Sequence, residues 1–189
     1  MSQNVENNYK IINKNDEWET PPEVFEPLNE EFNFELDVAA TEQNAKCPRF
    51  FTREQDGLKQ DWKANAVWCN PPYSQVSKWV KKAYEEVRKG NAKKVVMLVF
   101  AKTDTRWFHE YIYHKAEIRF IKGRVKFLLN GQKQKHAAPF PSMIVIWRYH
   151  YLDERECPKC GYVGWWHEFI DNINLPIVFY ICPKCEHRW

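Results

Sequence analysis

The chain has 189 residues and a formal net charge of +3, and 44% of its residues are hydrophobic and 16% aromatic. This length suits one ordinary domain with a small appendage, and the apolar content excludes an intrinsically disordered chain. No run of about 18 apolar residues is present, and the first residues contain no apolar signal segment. We therefore expect no membrane association and a cytoplasmic location.

The small net charge hides an uneven distribution along the chain. Residues 1–60 carry 6 basic and 13 acidic side chains, residues 61–150 carry 18 basic and 6 acidic ones, and residues 151–189 carry 4 basic and 6 acidic ones. A strongly basic segment attracts polyanions. The middle of the chain is therefore the part expected to bind a polyanionic partner.

The chain begins with a polar, Asn-rich stretch, residues 1–15, which is expected to be flexible. Residues 20–23 (Thr-Pro-Pro-Glu) then predict a helix start, in which the threonine hydroxyl caps the helix and the glutamate completes a capping box. This helix is expected to continue to about Phe32. Residues 34–39 alternate between apolar and polar and end in small residues, which is typical of a strand.

The next elements also follow from periodicity. A strand is expected over 66–69 and ends at the Asn-Pro-Pro-Tyr turn of residues 70–73, because proline cannot continue a central ladder. Apolar residues recur at helical spacing over 76–87, and Gly90 suits the end of that helix. Residues 95–100 form a continuous apolar run, as expected for a strand covered on both faces.

The last part of the main domain alternates again. A helix is expected from about residue 105 to residue 114, then strands over 117–121 and 125–129. A turn at Asn130-Gly131 and a strand over 143–147 follow. Alternation of strands and helices with a hairpin-like end indicates an α/β sheet with an antiparallel edge.

The turn at residues 70–73 is the most informative motif, because ligands of open α/β sheets bind outside the carboxyl ends of strands.

The groups in this turn suit methylation of a nucleobase amine. Such an amine is a poor nucleophile, since its lone pair is conjugated with the ring. The Asn70 side-chain oxygen and the Pro71 carbonyl can accept from both N–H groups and favour a nitrogen whose lone pair points at an electrophile. Pro71 and Pro72 hold this carbonyl rigidly. The Tyr73 ring offers a face on which an extruded base can stack.

Several motifs in one order carry a family resemblance. They are Trp-Glu-Thr-Pro-Pro at 18–22, Leu-Asp-Val-Ala-Ala at 36–40, Asp-Gly-Leu at 56–58, Asp-Trp at 61–62 and Asn-Pro-Pro-Tyr at 70–73. With these motifs, roughly residues 16–148 resemble the phage-type DNA N6-adenine methyltransferases, a Dam-like group of S-adenosylmethionine-dependent enzymes. The resemblance implies a Rossmann-like methyltransferase domain over residues 16–150.

The resemblance also implies roles for residues around the methyl donor, S-adenosylmethionine. Trp18, Thr20 and Pro21 would line one side of its pocket. Asp37 and Ala39 would stand where the methionine part is held, and Asp56 would accept from the adenine amine of the cofactor.

Each of these acidic or hydroxyl residues also has a purely structural interpretation. Thr20 can be a helix N-cap, Asp37 an Asx turn at a strand end, and Asp56 part of a turn. The chain departs from common methyltransferases because no Gly-x-Gly loop follows its first strand. The ligand of the cofactor ribose is also open, with Glu42 and Glu54 as candidates.

Basic side chains crowd the segment after the third expected helix, with Glu117 as the single acid among them. Aromatic residues are interleaved with them, which favours DNA contact over the alternative of a solvated charged face. Such side chains bind phosphates and set affinity and salt dependence rather than sequence preference. The candidate DNA-binding residues are Lys115, Arg119, Lys122, Arg124, Lys126, Lys133 and Lys135.

The pattern changes near Glu156, where a cysteine-bearing module begins and is expected to occupy residues 155–189. Two Cys-Pro-Lys-Cys units provide Cys157, Cys160, Cys182 and Cys185. Paired CxxC units supply four thiolates for a tetrahedral zinc, so we expect a zinc-ribbon-like domain with structural Zn2+. The alternative is two disulfides, which a cytosolic protein disfavours.

The sequence as a whole predicts a site-specific, adenine-specific DNA methyltransferase. It would transfer a methyl group from S-adenosylmethionine to the exocyclic amine of a flipped adenine in double-stranded DNA. A phage or prophage origin and action in a bacterial cytoplasm are expected from the resemblance. The alternatives are methylation of an RNA base or a protein glutamine amine, or a non-catalytic zinc-ribbon protein that binds DNA.

Overall fold

The computed structural model describes residues 18–149 and, further along the chain, residues 154–156, 159–161, 163–165, 167–171, 177–181 and 184–185. The N-terminal stretch expected to be flexible, residues 1–15, lies outside the described residues. No helix of the described residues is long and apolar enough to cross a membrane.

A six-stranded mixed sheet forms the centre of the main domain. Its strands are β1 (Leu36–Asp37), β2 (Arg49–Phe50), β3 (Ala64–Cys69), β4 (Ala92–Phe100), β5 (Glu117–Phe120) and β8 (Ser142–Arg148). Their spatial order is β2-β1-β3-β4-β8-β5. The four strands on the β2 side pair in parallel, and β8 pairs antiparallel with both β4 and β5. A separate hairpin consists of β6 (Leu128–Leu129) and β7 (Gln132–Lys133).

The antiparallel pairing expected at one edge is present, but its geometry differs from the expectation. The reversed strand β8 lies inside the sheet, between β4 and β5, so that the edge strand β5 again runs parallel to β4. Residues 121–141 connect β5 to β8 and cross the carboxyl edge of the sheet. Consecutive strands are usually neighbours, and this long connection is what allows β8 to enter between them.

Helices cover both faces of the sheet: α1 (Pro22–Phe32), α2 (Val76–Arg88) and α3 (Arg106–Tyr111). Because side chains alternate along a strand, β4 serves two apolar clusters. Val95, Met97 and Val99 pack with α2 and α3, whereas Val96, Leu98 and Phe100 pack with α1. The expectation of a strand covered on both faces is confirmed, and the core has two layers.

The predicted N-terminal cap of the first helix was wrong. The N-cap is Pro21, with extended backbone angles and no side-chain cap. Thr20 precedes it by one residue and is 2% exposed, and its hydroxyl has no hydrogen-bond partner within the described part of the chain. Glu23 forms an ion pair with Lys133 instead of a capping box. The β6–β7 hairpin that supplies this lysine is more than 100 residues away in sequence, so no local pattern indicates it.

Two small antiparallel hairpins follow the main domain. The first joins β9 (Glu154–Glu156) to β10 (Val163–Trp165), and the second joins β11 (His167–Asp171) to β12 (Ile177–Ile181). The first CxxC unit lies between β9 and β10, and the second begins directly after β12.

Candidate functional site

A cavity of about 440 Å³ opens at the carboxyl ends of β1, β2 and β3. Its walls come from the segments that follow these strands and from the first turn of α2. It is lined by Trp18, Val38, Ala39, Ala40, Thr41, Asn44, Phe51, Thr52, Arg53, Asp56, Gly57, Leu58, Asn70, Pro72, Gln75, Lys78 and Trp79. The position is the one at which open α/β sheets bind their ligands.

Asn70 has a defined side-chain orientation at the rim of this cavity. Its Nδ2 donates a hydrogen bond of 2.5 Å to the main-chain carbonyl of Trp18, which precedes α1. The carboxamide oxygen of Asn70 accepts at 3.4 Å from the hydroxyl of Tyr73. Because the amide nitrogen is bound on the Trp18 side, the oxygen is the group left for a further donor.

Tyr73 is held by aromatic contacts. Its ring stacks on Phe100 at the end of β4, with centroids 4.1 Å apart and planes inclined by 19°, and Phe127 meets it edge-on. Burial raises the pKa of the Tyr73 hydroxyl well above its ordinary value. The hydroxyl is therefore a hydrogen-bond donor at all physiological pH values, and one face of the ring is already covered.

The residues expected around a methyl donor separate into two groups. Trp18, Ala39 and Asp56 line the cavity, whereas Thr20, Pro21 and Asp37 do not. The two ribose candidates, Glu42 and Glu54, are exposed and are also absent from the lining. The Asp56 carboxylate accepts from the Leu58 N–H and pairs with Lys59 at 3.0 Å, and this lysine lowers the pKa of Asp56.

Asp37 supports one wall of the cavity without lining it. Its side chain is buried and accepts hydrogen bonds from the backbone N–H groups of Ala39 at 3.3 Å and Lys46 at 3.1 Å. Its carbonyl accepts from the N–H of Phe51. Burial raises the pKa of Asp37 to about 6. One carboxylate thus holds both ends of the connection between β1 and β2, which forms a wall of the cavity.

A second buried carboxylate fixes the opposite wall. Glu86 in α2 accepts from the N–H of Trp62 at 2.7 Å, and the indole of Trp62 donates to the Gly57 carbonyl at 2.8 Å. A side chain at residue 57 would place its Cβ 2.2 Å from the carbonyl oxygen of Val38, so only glycine fits. This wall is therefore tied to the helix and pressed against the end of β1.

The sequence analysis missed most of the polar lining, including Asn44, Arg53, Gln75, Lys78 and Trp79. One signal was available, because segments directly after strands and at the start of the following helix converge at the carboxyl edge. No residue type in these segments distinguishes a lining position from an exposed one.

The cavity offers a polar set that suits a small zwitterionic ligand with a purine. Trp18 and Trp79 line the cavity, and their indole N–H groups are buried and have no acceptor in the described part of the chain. Asp56 contributes a carboxylate and Lys78 an ammonium group. The volume lies in the range of about 300–1,000 Å³ that is typical of small-molecule sites. The residues present therefore fit S-adenosylmethionine.

The seven basic candidates do not form one free surface. Arg119 is bound by Glu31 and Glu117, Lys133 pairs with Glu23, and the side chains of Lys115 and Arg124 donate to the main-chain carbonyls of Glu110 and Pro139. The remaining three are exposed and form no ion pair with another described residue: Lys122, Lys126 and Lys135. They belong to the β5–β8 connection at the carboxyl edge.

The cysteine module is described in part. Cys160 and Cys185 are half-buried, and neither forms a disulfide with another described cysteine. Cys157 and Cys182 lie outside the described residues. No group of metal-ligating side chains is found in the described part of the chain, which includes one cysteine of each pair.

Comparison with known proteins gives a consistent set of relatives. The model of the family described as DNA N-6-adenine-methyltransferase (Dam) matches residues 8–174. The DNA N-6-adenine-methyltransferase of Escherichia phage T1 is 38% identical over 120 residues, which are 62% of this chain and half the length of that protein. That of Haemophilus phage HP1 (strain HP1c1) is 38% identical over 118 residues, 61% of this chain and 68% of that protein. A crystal structure of a candidate RNA methyltransferase from Pyrococcus horikoshii is 15% identical, with a TM-score of 0.46, and the match covers 69% of this chain and 85% of that one.

The buried Asp37 predicts a pH dependence of stability. Its pKa rises from 3.8 to about 6 in the fold, so the folded protein binds more protons than the unfolded chain between these pH values. Stability therefore falls as the pH rises through this window. Relative to Asp37→Asn, the free energy of unfolding should decrease by about 2 kcal/mol between pH 4.5 and pH 7.5, measured by denaturant titration.

Asp61→Asn is the matched control, because the Asp61 side chain is 63% exposed. Its free energy of unfolding relative to the wild type should stay constant over the same window. A constant difference for Asp37→Asn as well would show that burial does not perturb this carboxyl group.

Proposed function

Since this chain belongs to the DNA N-6-adenine-methyltransferase (Dam) family, we propose that it transfers a methyl group from S-adenosylmethionine to the N6 amine of adenine in double-stranded DNA. The observation that carries the proposal is the orientation of Asn70. Its nitrogen is bound to the Trp18 carbonyl, and its oxygen is therefore presented as an acceptor at the rim of the cavity.

The turn after β3 activates the amine without a charged base. Asn70 Oδ1 and the Pro71 carbonyl accept one N–H each, which favours a pyramidal nitrogen with its lone pair directed at the methyl group. The two prolines limit the movement of the Pro71 carbonyl. The face of the Tyr73 ring opposite Phe100 would stack on the extruded adenine.

The methyl donor would be held in the cavity lined by the segments after β1, β2 and β3 and by the first turn of α2. Bound S-adenosylmethionine would supply an electrophilic methyl group, whose bond to sulfur breaks as the bond to N6 forms; the neutral thioether leaves, and the methylated amine loses one proton to solvent. Trp18 and Trp79 offer their unpartnered indole N–H groups as donors, and Asp56 offers a carboxylate. Ala39 and Ala40 line the cavity at the end of β1. Their small side chains would leave room for the methyl donor where common methyltransferases have a Gly-x-Gly loop.

Double-stranded DNA would lie across the carboxyl edge of the sheet. The support is the exposed position of Lys122, Lys126 and Lys135 in the segment that crosses this edge. These side chains bind phosphates. The phage origin of the two relatives supports a phage or prophage gene whose product works in a bacterial cytoplasm.

We also propose that the C-terminal module holds a structural zinc through Cys157, Cys160, Cys182 and Cys185. Hairpins precede or flank both CxxC units. Gly161 follows Cys160 with a φ of +63°, which lets the chain turn sharply after the second ligand. A module of this size has too small a core to fold alone, so the metal would supply folding free energy.

Methylation can be tested with labelled S-adenosylmethionine, unmethylated duplex DNA and nucleoside analysis. The wild type should form N6-methyladenine, and Asn70→Ala should lose at least about a hundredfold in kcat because the acceptor of the amine is gone. Asn65→Ala is the control, since Asn65 lies at the opposite end of β3, bonded to Glu35.

Absence of N6-methyladenine with the wild type, or equal rates for the wild type and Asn70→Ala, would overturn the proposal. Duplex and single-stranded RNA in parallel reactions distinguish an RNA substrate, for which label would appear in RNA but not in DNA.

The DNA surface predicts a change in salt dependence. Replacing Lys122, Lys126 and Lys135 by Ala should make the slope of log K against log salt less negative by about 2.7, since each phosphate contact contributes about −0.9. Fluorescence anisotropy between low and physiological salt measures this slope. Replacing Lys63, Lys81 and Lys89 removes the same charge from other exposed positions and should leave the slope unchanged; equal slopes for both triple variants would contradict the assignment.

The zinc proposal predicts a fixed metal content. The 189-residue chain purified from zinc-supplemented medium should contain about one zinc per chain, and Cys160→Ser or Cys185→Ser should remove it. Cys47→Ala is the control, because Cys47 is buried in the main domain. Metal-free wild type with disulfides in mass spectra under non-reducing conditions would establish the alternative pairing.

A further inference from the structure

A short strap of chain, residues 18–21, lies between the turn at 70–73 and the β6–β7 hairpin. On one side, the carbonyl of Trp18 accepts the side-chain amide of Asn70 at 2.5 Å. On the other side, Glu19 forms a backbone bridge with Leu128, with hydrogen bonds of 3.0 and 2.9 Å in the two directions. The strap thus connects the hairpin to the residue proposed to accept the adenine amine.

The contact with Trp18 decides which end of the Asn70 carboxamide is presented to substrate. A carboxamide rotated by half a turn would direct its own N–H groups at the amine, and donor would face donor. The Trp18 carbonyl accepts and cannot donate, so it is compatible with only one of the two rotations. The orientation of Asn70 therefore depends on where the strap holds this carbonyl.

Glu19 adds a side-chain contact to the backbone bridge. Its carboxylate oxygens lie 3.2 and 3.3 Å from the N–H of Gly131 at the tip of the hairpin. Asn130 and Gly131 have φ values of +52° and +71°, as a tight two-residue turn requires. A rigid turn thus presents one N–H group to one carboxylate, one residue away from the carbonyl that orients Asn70.

We propose that Glu19 is a positioning residue, which fixes the strap against the hairpin so that Asn70 presents its oxygen to the target amine. The inference rests on the proposed function, since it assigns a role within that reaction. The tip of the hairpin is exposed at Asn130 and Gln132 and lies in the same segment as Lys126 and Lys135. DNA bound to this segment would therefore be coupled to Asn70 through the contacts of Glu19.

The test separates positioning from binding. Glu19→Ala should lower kcat for DNA methylation about fivefold to tenfold, while the dissociation constants for DNA and for S-adenosylmethionine stay within twofold. Glu19→Gln keeps an acceptor for the Gly131 N–H and should restore kcat to within twofold of the wild type. Glu26→Ala, a loss of the same charge from an exposed position in α1, should leave all three quantities unchanged.

A spectroscopic measurement tests the same contact independently of turnover. In the wild type, one Asn side-chain amide proton should be shifted downfield by the short bond to Trp18, and Asn70→Asp identifies it by its loss. Glu19→Ala should move this proton toward the position of a free amide, whereas Glu26→Ala should not. Glu19→Ser is a second truncation, for use if the alanine variant does not fold.

The outcomes distinguish the two proposals. Absence of DNA methylation by the wild type would refute the proposed function. Methylation by the wild type with equal kcat for Glu19→Ala and Glu26→Ala would refute the role of Glu19 alone. A loss of DNA affinity in Glu19→Ala without a loss of kcat, or a wild type without a downfield Asn70 proton, would do the same.

Discussion

The buried carboxylate of Asp37 is the interaction on which the ligand cavity depends. The chain has only 6 glycines, and none of them follows the first strand, where a flexible loop would otherwise wrap a cofactor. Asp37 replaces that flexibility with hydrogen bonds to Ala39 and Lys46. Burying a charged group costs free energy unless the group is hydrogen-bonded. The raised pKa of Asp37 reflects that cost. The wall of the site is thus held by polar contacts rather than by small residues.

Much of the fold follows from local pattern. The apolar run of β4 and the helical spacing of α2 indicate burial directly, because a strand covered on both faces is apolar throughout and a helix covered on one face is apolar at helical spacing. The turn at residues 70–73 was found in the same way, because prolines interrupt a strand that is otherwise apolar. What these features share is that the physical cause lies within about ten residues of the effect.

Features with distant causes could not be predicted. Thr20 has the chemistry of a cap, but Pro21 occupies that position in the fold. Arg119 belongs by composition to the basic segment, yet Glu31 from α1 engages its guanidinium. The insertion of β8 between β4 and β5 also depends on pairing across the whole sheet. Ion-pair partners and strand order are set by the tertiary structure, so they cannot be predicted from the positions of charges along the chain.

The contacts among Gly57, Trp62 and Glu86 restrict which sequences can share this fold. The indole of Trp62 donates to the Gly57 carbonyl, and the backbone N–H of Trp62 donates to the Glu86 carboxylate. Position 57 has no room for a side chain. These three sites therefore form one structural unit. A chimera that joins residues 57–62 of one relative to the α2 helix of another would keep the cavity only if both parents carry the matching set.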